Sequence, residues 1–162
     1  MTASDRPDER TRHGPQDEDH EREGRRHGIR DAGRRARATY GRHICGLMVA
    51  AFSLSVVHTV YAWVEGIEDP TFTVTTPLAW GFYAVAFGMA VLARRTGRWA
   101  QATVLAFLVA CLAIGIFYYP TTFGPAQQTV FGWFENDVYL GLLVAATYLA
   151  VQRWRGTVLT PA

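Results

Sequence analysis

The sequence contains no lysine, so its sixteen basic residues are all arginines. Arginine is in turn absent from two stretches, residues 65–76 and 119–132. It occurs only before residue 43, at 94–98, and at 153 and 155, and four membrane-crossing helices would put all of these positions on one side of a membrane. Cationic residues concentrate on the cytoplasmic side of membrane proteins. The distribution therefore predicts a multi-pass protein of the cell membrane with both termini in the cytoplasm.

Several catalytic and metal-binding motifs are absent. There is no Cys-x-x-Cys, no His-Glu-x-x-His and no Gly-x-Ser-x-Gly, which excludes thiol redox, zinc-protease and nucleophile-elbow chemistry. The two cysteines, Cys45 and Cys111, fall at the cytoplasmic mouth of one apolar run and inside another, so neither is placed for an exported disulfide. A haem held by two histidines would need a second intramembrane imidazole besides His58, and His43 lies at the opposite surface. We expect no catalytic residue, no metal and no cofactor.

The first 43 residues lack large aliphatic side chains apart from Ile29, and they carry eleven arginines and nine acids. Such a segment cannot bury enough apolar surface to offset its chain entropy, so we predict a disordered tail over 1–43. Its outer part is net acidic, whereas 24–42 holds seven arginines and one acid. Basic charge beside a membrane attracts anionic lipid. We expect headgroup binding through Arg30, Arg34, Arg35, Arg37 and Arg42.

Nucleic acid is the poorer partner for this tail, because aromatic residues that could stack on bases are absent apart from Tyr40. We therefore expect no nucleic-acid binding.

Four apolar segments follow the tail. A run of about 21 residues gives roughly 31 Å of helix, enough to cross a hydrocarbon core of about 30 Å. Thr76 and Pro77 predict a capped helix start, and Pro120 predicts a helix stop. We predict an all-α membrane protein, with four helices in an up-and-down antiparallel bundle over 44–153 and a short cytoplasmic C-terminal tail at 154–162. The predicted helices are 44–64, 76–93, 99–118 and 133–152.

Tryptophans and small residues refine this bundle. Tryptophan favours the membrane interface, so we place Trp63, Trp80 and Trp133 at the outer surface and Trp99 and Trp154 at the inner one. Small residues four apart allow helices to approach closely in lipid. They predict contacts through Ala51 with Ser55, Ala84 with Gly88, Ala102 with Ala106 and Ala110, and Gly141 with Ala145.

His58 is the ionisable residue placed well inside the first apolar run, where polar groups are costly and suggest function. The same depth in the second and fourth runs reaches Tyr83 and Tyr139, which predicts a polar layer. His58 could equally be a neutral residue that hydrogen-bonds a tyrosine or a carbonyl and joins two helices. Both interpretations stay open.

Three carboxylates lie near the outer surface. Glu65 follows His58 by seven residues and shares its helical face, but it sits at a helix C-terminus, where a carboxylate opposes the dipole. Glu135 and Asp137 are explained as acids at a helix N-terminus. The sequence therefore favours Glu65 as the functional carboxylate, and His58, Glu65, Tyr83, Tyr139, Glu135 and Asp137 form the candidate site.

The apolar helices carry no acid over 74–93 or 100–118, which disfavours coupled transport by this chain alone. The leading hypothesis is a non-catalytic accessory or structural component that associates with other membrane proteins or with copies of itself. The alternative is a small transporter or ion-binding protein with an outer-side site at His58 and Glu65.

Overall fold

The structure, a computed structural model, describes residues 15–67, 71–118 and 129–156. Within those residues all regular secondary structure is helical, which confirms the predicted all-α class. A π-helical turn, Ile114–Tyr118, extends the third helix. The four helices are α1 (Pro15–Glu65), α2 (Pro77–Leu92), α3 (Arg98–Ala113) and α4 (Val130–Arg155).

Three of the helical stretches are long and apolar enough to cross a membrane: Ala38–Glu65, Arg98–Tyr118 and Gly132–Arg155. The fourth helix, α2, is apolar but has only 16 residues. At 1.5 Å per residue it is about 24 Å long, which is less than the roughly 30 Å of a hydrocarbon core. Each of the four apolar runs is therefore a helix, and three of them have the length of a span.

The N-terminal segment differs from the sequence prediction. Disorder was expected over 1–43, but α1 is helical from Pro15 onward, and residues 1–14 lie outside the described residues. The expectation rested on the lack of apolar residues to bury, whereas a helix also forms from local preference. Glu, Gln, Arg and Ala, which are good helix formers, dominate this stretch. The chain divides into two compact units, residues 1–34 and 35–162, and the core described below belongs to the second.

Buried positions recur at alternating spacings of three and four residues, which is the pattern of helices packed along their length. On α2 these positions are Ala79, Tyr83, Ala86 and Ala90. Phe52 of α1 is fully buried at the centre of the core. Its ring lies 5.9 Å from that of Phe82, 5.8 Å from Phe107 and 6.1 Å from Tyr139, one aromatic residue from each of the other helices.

The small residues predicted to line the helix contacts mostly face outward. Ala51 is buried as predicted. The exposed members of the predicted pairs are Ala84, Gly88, Ala106, Ala110, Gly141 and Ala145. The spacing of small residues did not predict which face of each helix is buried, because alanine is common on both faces of these helices. The interior is lined instead by Ala79, Ala86, Ala90 and Ala93 of the α2 segment and by Ala146 and Ala150 of α4.

Local hydrogen bonds fix the helix ends. Gly66 takes a positive φ of 67°, and the amides of Gly66 and Ile67 donate to the carbonyls of Trp63 and Ala62, which closes the last turn of α1. Pro77 is the first residue of α2 as predicted, but the Thr76 hydroxyl makes no helix cap.

The hydroxyl of Thr76 instead donates to the carbonyl of Thr73 and accepts from the Thr73 amide. The connection before α2 is therefore held by its own threonines, and Thr73 is buried within it.

Contacts at the two ends show how the helices lie beside one another. A Cβ on Gly41 of α1 would lie 2.8 Å from the carbonyl oxygen of Ala93 and 3.1 Å from the Arg153 guanidinium. His58, later in α1, reaches Glu135 near the start of α4. The residues of α1 near Gly41 are thus beside the ends of α2 and α4. The residues near His58 are beside the beginning of α4.

Candidate functional site

The candidate site is built on a hydrogen bond between α1 and α4. Nδ1 of His58 lies 2.9 Å from Oε2 of Glu135. The Glu135 side chain is 3% exposed, whereas that of His58 is 26% exposed. A carboxylate is therefore held inside the protein by an imidazole whose edge reaches the surface.

The start of α4 determines where Glu135 points. The helix begins at Val130, three residues before the predicted start at 133, and its cap is Thr129, whose hydroxyl accepts from the amide of Gly132 at 3.0 Å. Glu135 is consequently in the second turn and is not a capping residue. A Cβ on Gly132 would lie 3.8 Å from Cε1 of His58, so this glycine borders the imidazole.

One oxygen of Glu135 lacks a protein donor. Among the described residues, Oε1 is buried and has no hydrogen-bond partner, while Oε2 is bound to His58. A buried carboxylate oxygen without a donor lowers stability, since it loses water and gains nothing in exchange. Glu135 is therefore a residue whose position the packing alone does not explain.

Tyr83 of α2 forms a second polar cluster with α1. Its hydroxyl donates to the carbonyl oxygen of Ser55 at 2.9 Å and lies 2.6 Å from the hydroxyl of Thr59. The Thr59 hydroxyl also donates to the Ser55 carbonyl at 3.1 Å. Tyr83 is therefore well supplied with partners on α1, and it joins α1 and α2 as His58 joins α1 and α4.

The remaining predicted site residues lie apart from these two clusters. Glu65 is exposed at the C-terminal end of α1, and Asp137 is exposed on α4. Tyr139 is partly buried and its ring packs against Phe52. The structure thus brings His58 together with Glu135, whereas the sequence had favoured Glu65. Glu135 had been assigned to a helix cap, but Thr129 provides the cap of α4.

The helical period along α4 contains the signal that was missed. Leu143, Ala146 and Ala150 are buried on one face. Extending that face in steps of three or four residues reaches Glu135 at one end and Arg153 at the other, and both are buried. A periodicity argument carried through the charged ends of the apolar run would have predicted two buried charges.

Arg153 occupies the opposite end of the same face. Nη1 donates to the carbonyl oxygen of Ala93 at 2.5 Å, and Nη2 donates to that of Arg95 at 2.8 Å. The carbonyls at a helix C-terminus have no partners within the helix and carry partial negative charge. The guanidinium thus caps α2 at Ala93 from α4 and also binds the connection after it at Arg95.

A metal ion is not favoured by the residues that the structure describes, since they contain no group of three His, Cys, Asp or Glu side chains able to hold one. Glu68 and Asp69, which border the outer carboxylates in sequence, lie outside the described residues. The His58–Glu135 pair can hold a proton or donate and accept hydrogen bonds. No known protein family, no curated protein and no solved structure matches this chain.

Proposed function

We propose that this chain is a multi-pass component of the cell membrane, with four membrane-crossing helices and both termini in the cytoplasm. It works without catalysis, by associating through its helices with other membrane proteins or with copies of itself. The observation that carries the association is the outward orientation of the small residues on α2, α3 and α4.

The outer surface of the helices supports placement in lipid. Valines and aromatic residues are exposed along all four helices; examples are Val57 at 54%, Val91 at 63% and Phe117 at 75%. Soluble proteins rarely expose such continuous apolar surface. Only 22–28% of the most apolar window of each long helix is buried inside the protein, so most of these side chains need an apolar solvent.

The charges of the folded part support the orientation. Among residues 35–67, 71–118 and 129–156, the acids are Glu65, Glu135 and Asp137, which belong to the end of α1 and the start of α4. The arginines of the same residues lie toward the other end of these helices. Arg98 stacks over the ring of Trp154 at 5.4 Å, which joins α3 and α4 at that end. The positive end is the cytoplasmic one.

A helix without bulky side chains on its lipid face permits another helix to approach closely. Gly88 on α2, Ala106 and Ala110 on α3, and Gly141 with Ala145 on α4 are exposed. Among the described residues, no contact prevents a Cβ at Gly88 or Gly141. These positions therefore do not serve the internal packing of one copy, which leaves them available for contacts with a neighbouring helix.

A pair of substitutions tests the association. Gly141→Leu should leave the folded monomer intact and weaken co-purification of partners, or self-association, in mild detergent. Val144→Leu, also exposed on α4, adds bulk without filling a small-residue site and serves as the control. Equal recovery of partner or oligomer with both variants would contradict the proposal.

Orientation is tested by labelling cysteines on intact cells. In a background with Cys45 and Cys111 changed to Ala, a cysteine at Thr71 should react with a membrane-impermeant thiol reagent. One at Ser4 should not. The reverse pattern would overturn the proposed topology.

The proposed partner of the basic segment is anionic lipid, through Arg30, Arg34, Arg35, Arg37 and Arg42. The structure describes the side chains of Arg35 and Arg42, and both are exposed. A peptide of residues 24–42 should bind vesicles containing anionic lipid and be released by salt, whereas a peptide of 1–23 should not bind. Equal binding of the two peptides would refute this lipid contact.

A further inference from the structure

We propose that His58 and Glu135 together form a proton-binding site that exchanges its proton with the outer aqueous surface. This function goes beyond helix association. It rests on the proposed orientation only for the identity of the surface that supplies the proton.

The position of the pair favours a proton over a larger ligand. The two side chains already touch, at 2.9 Å, and together they provide one carboxylate and one imidazole. A metal ion needs more protein ligands than these two, and the described residues supply no third His, Cys, Asp or Glu beside them. A proton needs only an acceptor with a lone pair and a path to water.

The charge of the pair explains why a proton would be held there. With the proton bound, the pair is either imidazolium and carboxylate or neutral imidazole and carboxylic acid, and its total charge is zero. Once the proton leaves, a single negative charge stays on a carboxylate whose Oε1 has no donor among the described residues. A buried charge without a partner is strongly unfavourable. Binding the proton therefore neutralises the buried negative charge of the pair.

The path for the proton runs through the imidazole. Nδ1 of His58 is bound to Glu135, and the ring is 26% exposed, whereas the carboxylate is 3% exposed. Trp133, an exposed interfacial residue, precedes Glu135 by two positions, which places the pair close beneath the outer interface. The imidazole is thus the member of the pair through which a proton from the outer interface would reach Glu135, across one hydrogen bond.

The other titratable groups of the described residues have different settings. Tyr83 of α2, which interacts electrostatically with Glu135, is hydrogen-bonded to Ser55 and Thr59, and Cys111 is buried within α3. On α4, Asp137 is exposed, and the ring of Tyr139 packs against Phe52. Glu65 is exposed at the end of α1. The exchange is assigned to His58 and Glu135 because the structure shows these two titratable side chains joined by a hydrogen bond.

Infrared difference spectroscopy of the full chain in detergent tests the proposal. Between about pH 5 and about pH 8, where histidine exchanges protons, the wild-type difference spectrum should contain a carboxyl signal, which is a carboxylic-acid band if the proton is on Glu135 and a shifted carboxylate band if it is on His58. Glu135→Gln should remove it. Asp137→Asn, an exposed acid on the same helix, should leave it unchanged.

In His58→Gln, the proton concentration at which the signal changes should differ about tenfold or more from that of the wild type. The reason is that a directly bonded partner usually changes a pKa by about one unit. A spectrum in which Glu135→Gln equals the wild type would overturn the proposal.

Histidine nitrogen NMR gives a second readout should Glu135→Gln fold poorly. The resonance that disappears in His58→Gln identifies the imidazole. It should move over the same pH range as the carboxyl signal, and a constant resonance would overturn the proposal. Neither experiment depends on orientation or partners, so a failure here is distinguishable from a failure of the proposed association or topology.

Discussion

The two ends of the buried face of α4 hold opposite charges in opposite ways. Near the C-terminal end of α4, the Arg153 guanidinium donates to the backbone carbonyls of Ala93 and Arg95. Near the N-terminal end, Glu135 has one partner, the side chain of His58, and its Oε1 has none among the described residues. Among the described residues, Nε of Arg153 and Oε1 of Glu135 are both buried without a hydrogen-bond partner. The difference is that the guanidinium makes two bonds to backbone carbonyls, whereas the carboxylate makes one bond to a side chain.

This difference is the reason for proposing a structural role for Arg153 and a functional one for Glu135. A buried charge stabilises a fold only where its bonds replace those it made with water. Arg153 meets that condition through both terminal nitrogens, which bind the C-cap carbonyl of α2 at Ala93 and the carbonyl of Arg95 in the following connection. Glu135 meets it only in part, and a glutamine of the same shape would avoid the cost of burying the charge. Substitutions at the two ends should therefore have unequal effects on stability.

The largest loss is expected at Arg153. Arg153→Met keeps the length of the side chain but removes two charge-assisted hydrogen bonds, and it should lower the free energy of unfolding by about 3 kcal/mol. Denaturant titration in detergent micelles measures the change. Arg155 is exposed and follows Arg153 by two residues, so Arg155→Met should have little effect. Equal stability of the two variants would show that the Arg153 guanidinium does not stabilise the end of α2.

A smaller loss is expected where α1 passes this guanidinium. In Gly41→Ala, the new Cβ would lie 2.8 Å from the backbone carbonyl of Ala93, so a helix must shift, with a loss of about 2 kcal/mol. Gly46→Ala on the same helix meets open space and should raise stability by about 0.5 kcal/mol through helix propensity. The two changes should have opposite signs in the same unfolding assay.

A still smaller loss of stability is expected at Tyr83, near the other end of the helices. Tyr83→Phe removes the hydroxyl that donates to the Ser55 carbonyl, while the ring contacts with Phe72 and Phe82 stay. Hydrogen bonds between membrane helices contribute about 0.6 kcal/mol on average, so the loss should be about that size. The thermal midpoint in detergent should fall only slightly. A loss as large as that of Arg153→Met would show that the Tyr83 hydrogen bonds contribute as much to stability as those of Arg153.

Sequence reasoning identified the helices better than their partners. Apolar runs and the Thr76-Pro77 start determine four helices because these signals are local. The pairing of His58 with Glu135 is not local, since it depends on which face of α4 meets α1. The helical start at Thr129 was overlooked because Glu135 and Asp137 offered a plausible cap. The helix from Pro15 was missed because local helix preference was weighed below burial.

The central claim, that Glu135 serves function while Arg153 serves structure, is tested most directly by measuring the unfolding free energy of Glu135→Gln beside that of Arg153→Met. We expect Glu135→Gln to differ from the wild type by less than about 0.5 kcal/mol, or to be more stable, because a neutral amide avoids burying a charge. A loss of about 3 kcal/mol in Glu135→Gln, equal to that expected for Arg153→Met, would contradict the account and make Glu135 a structural residue.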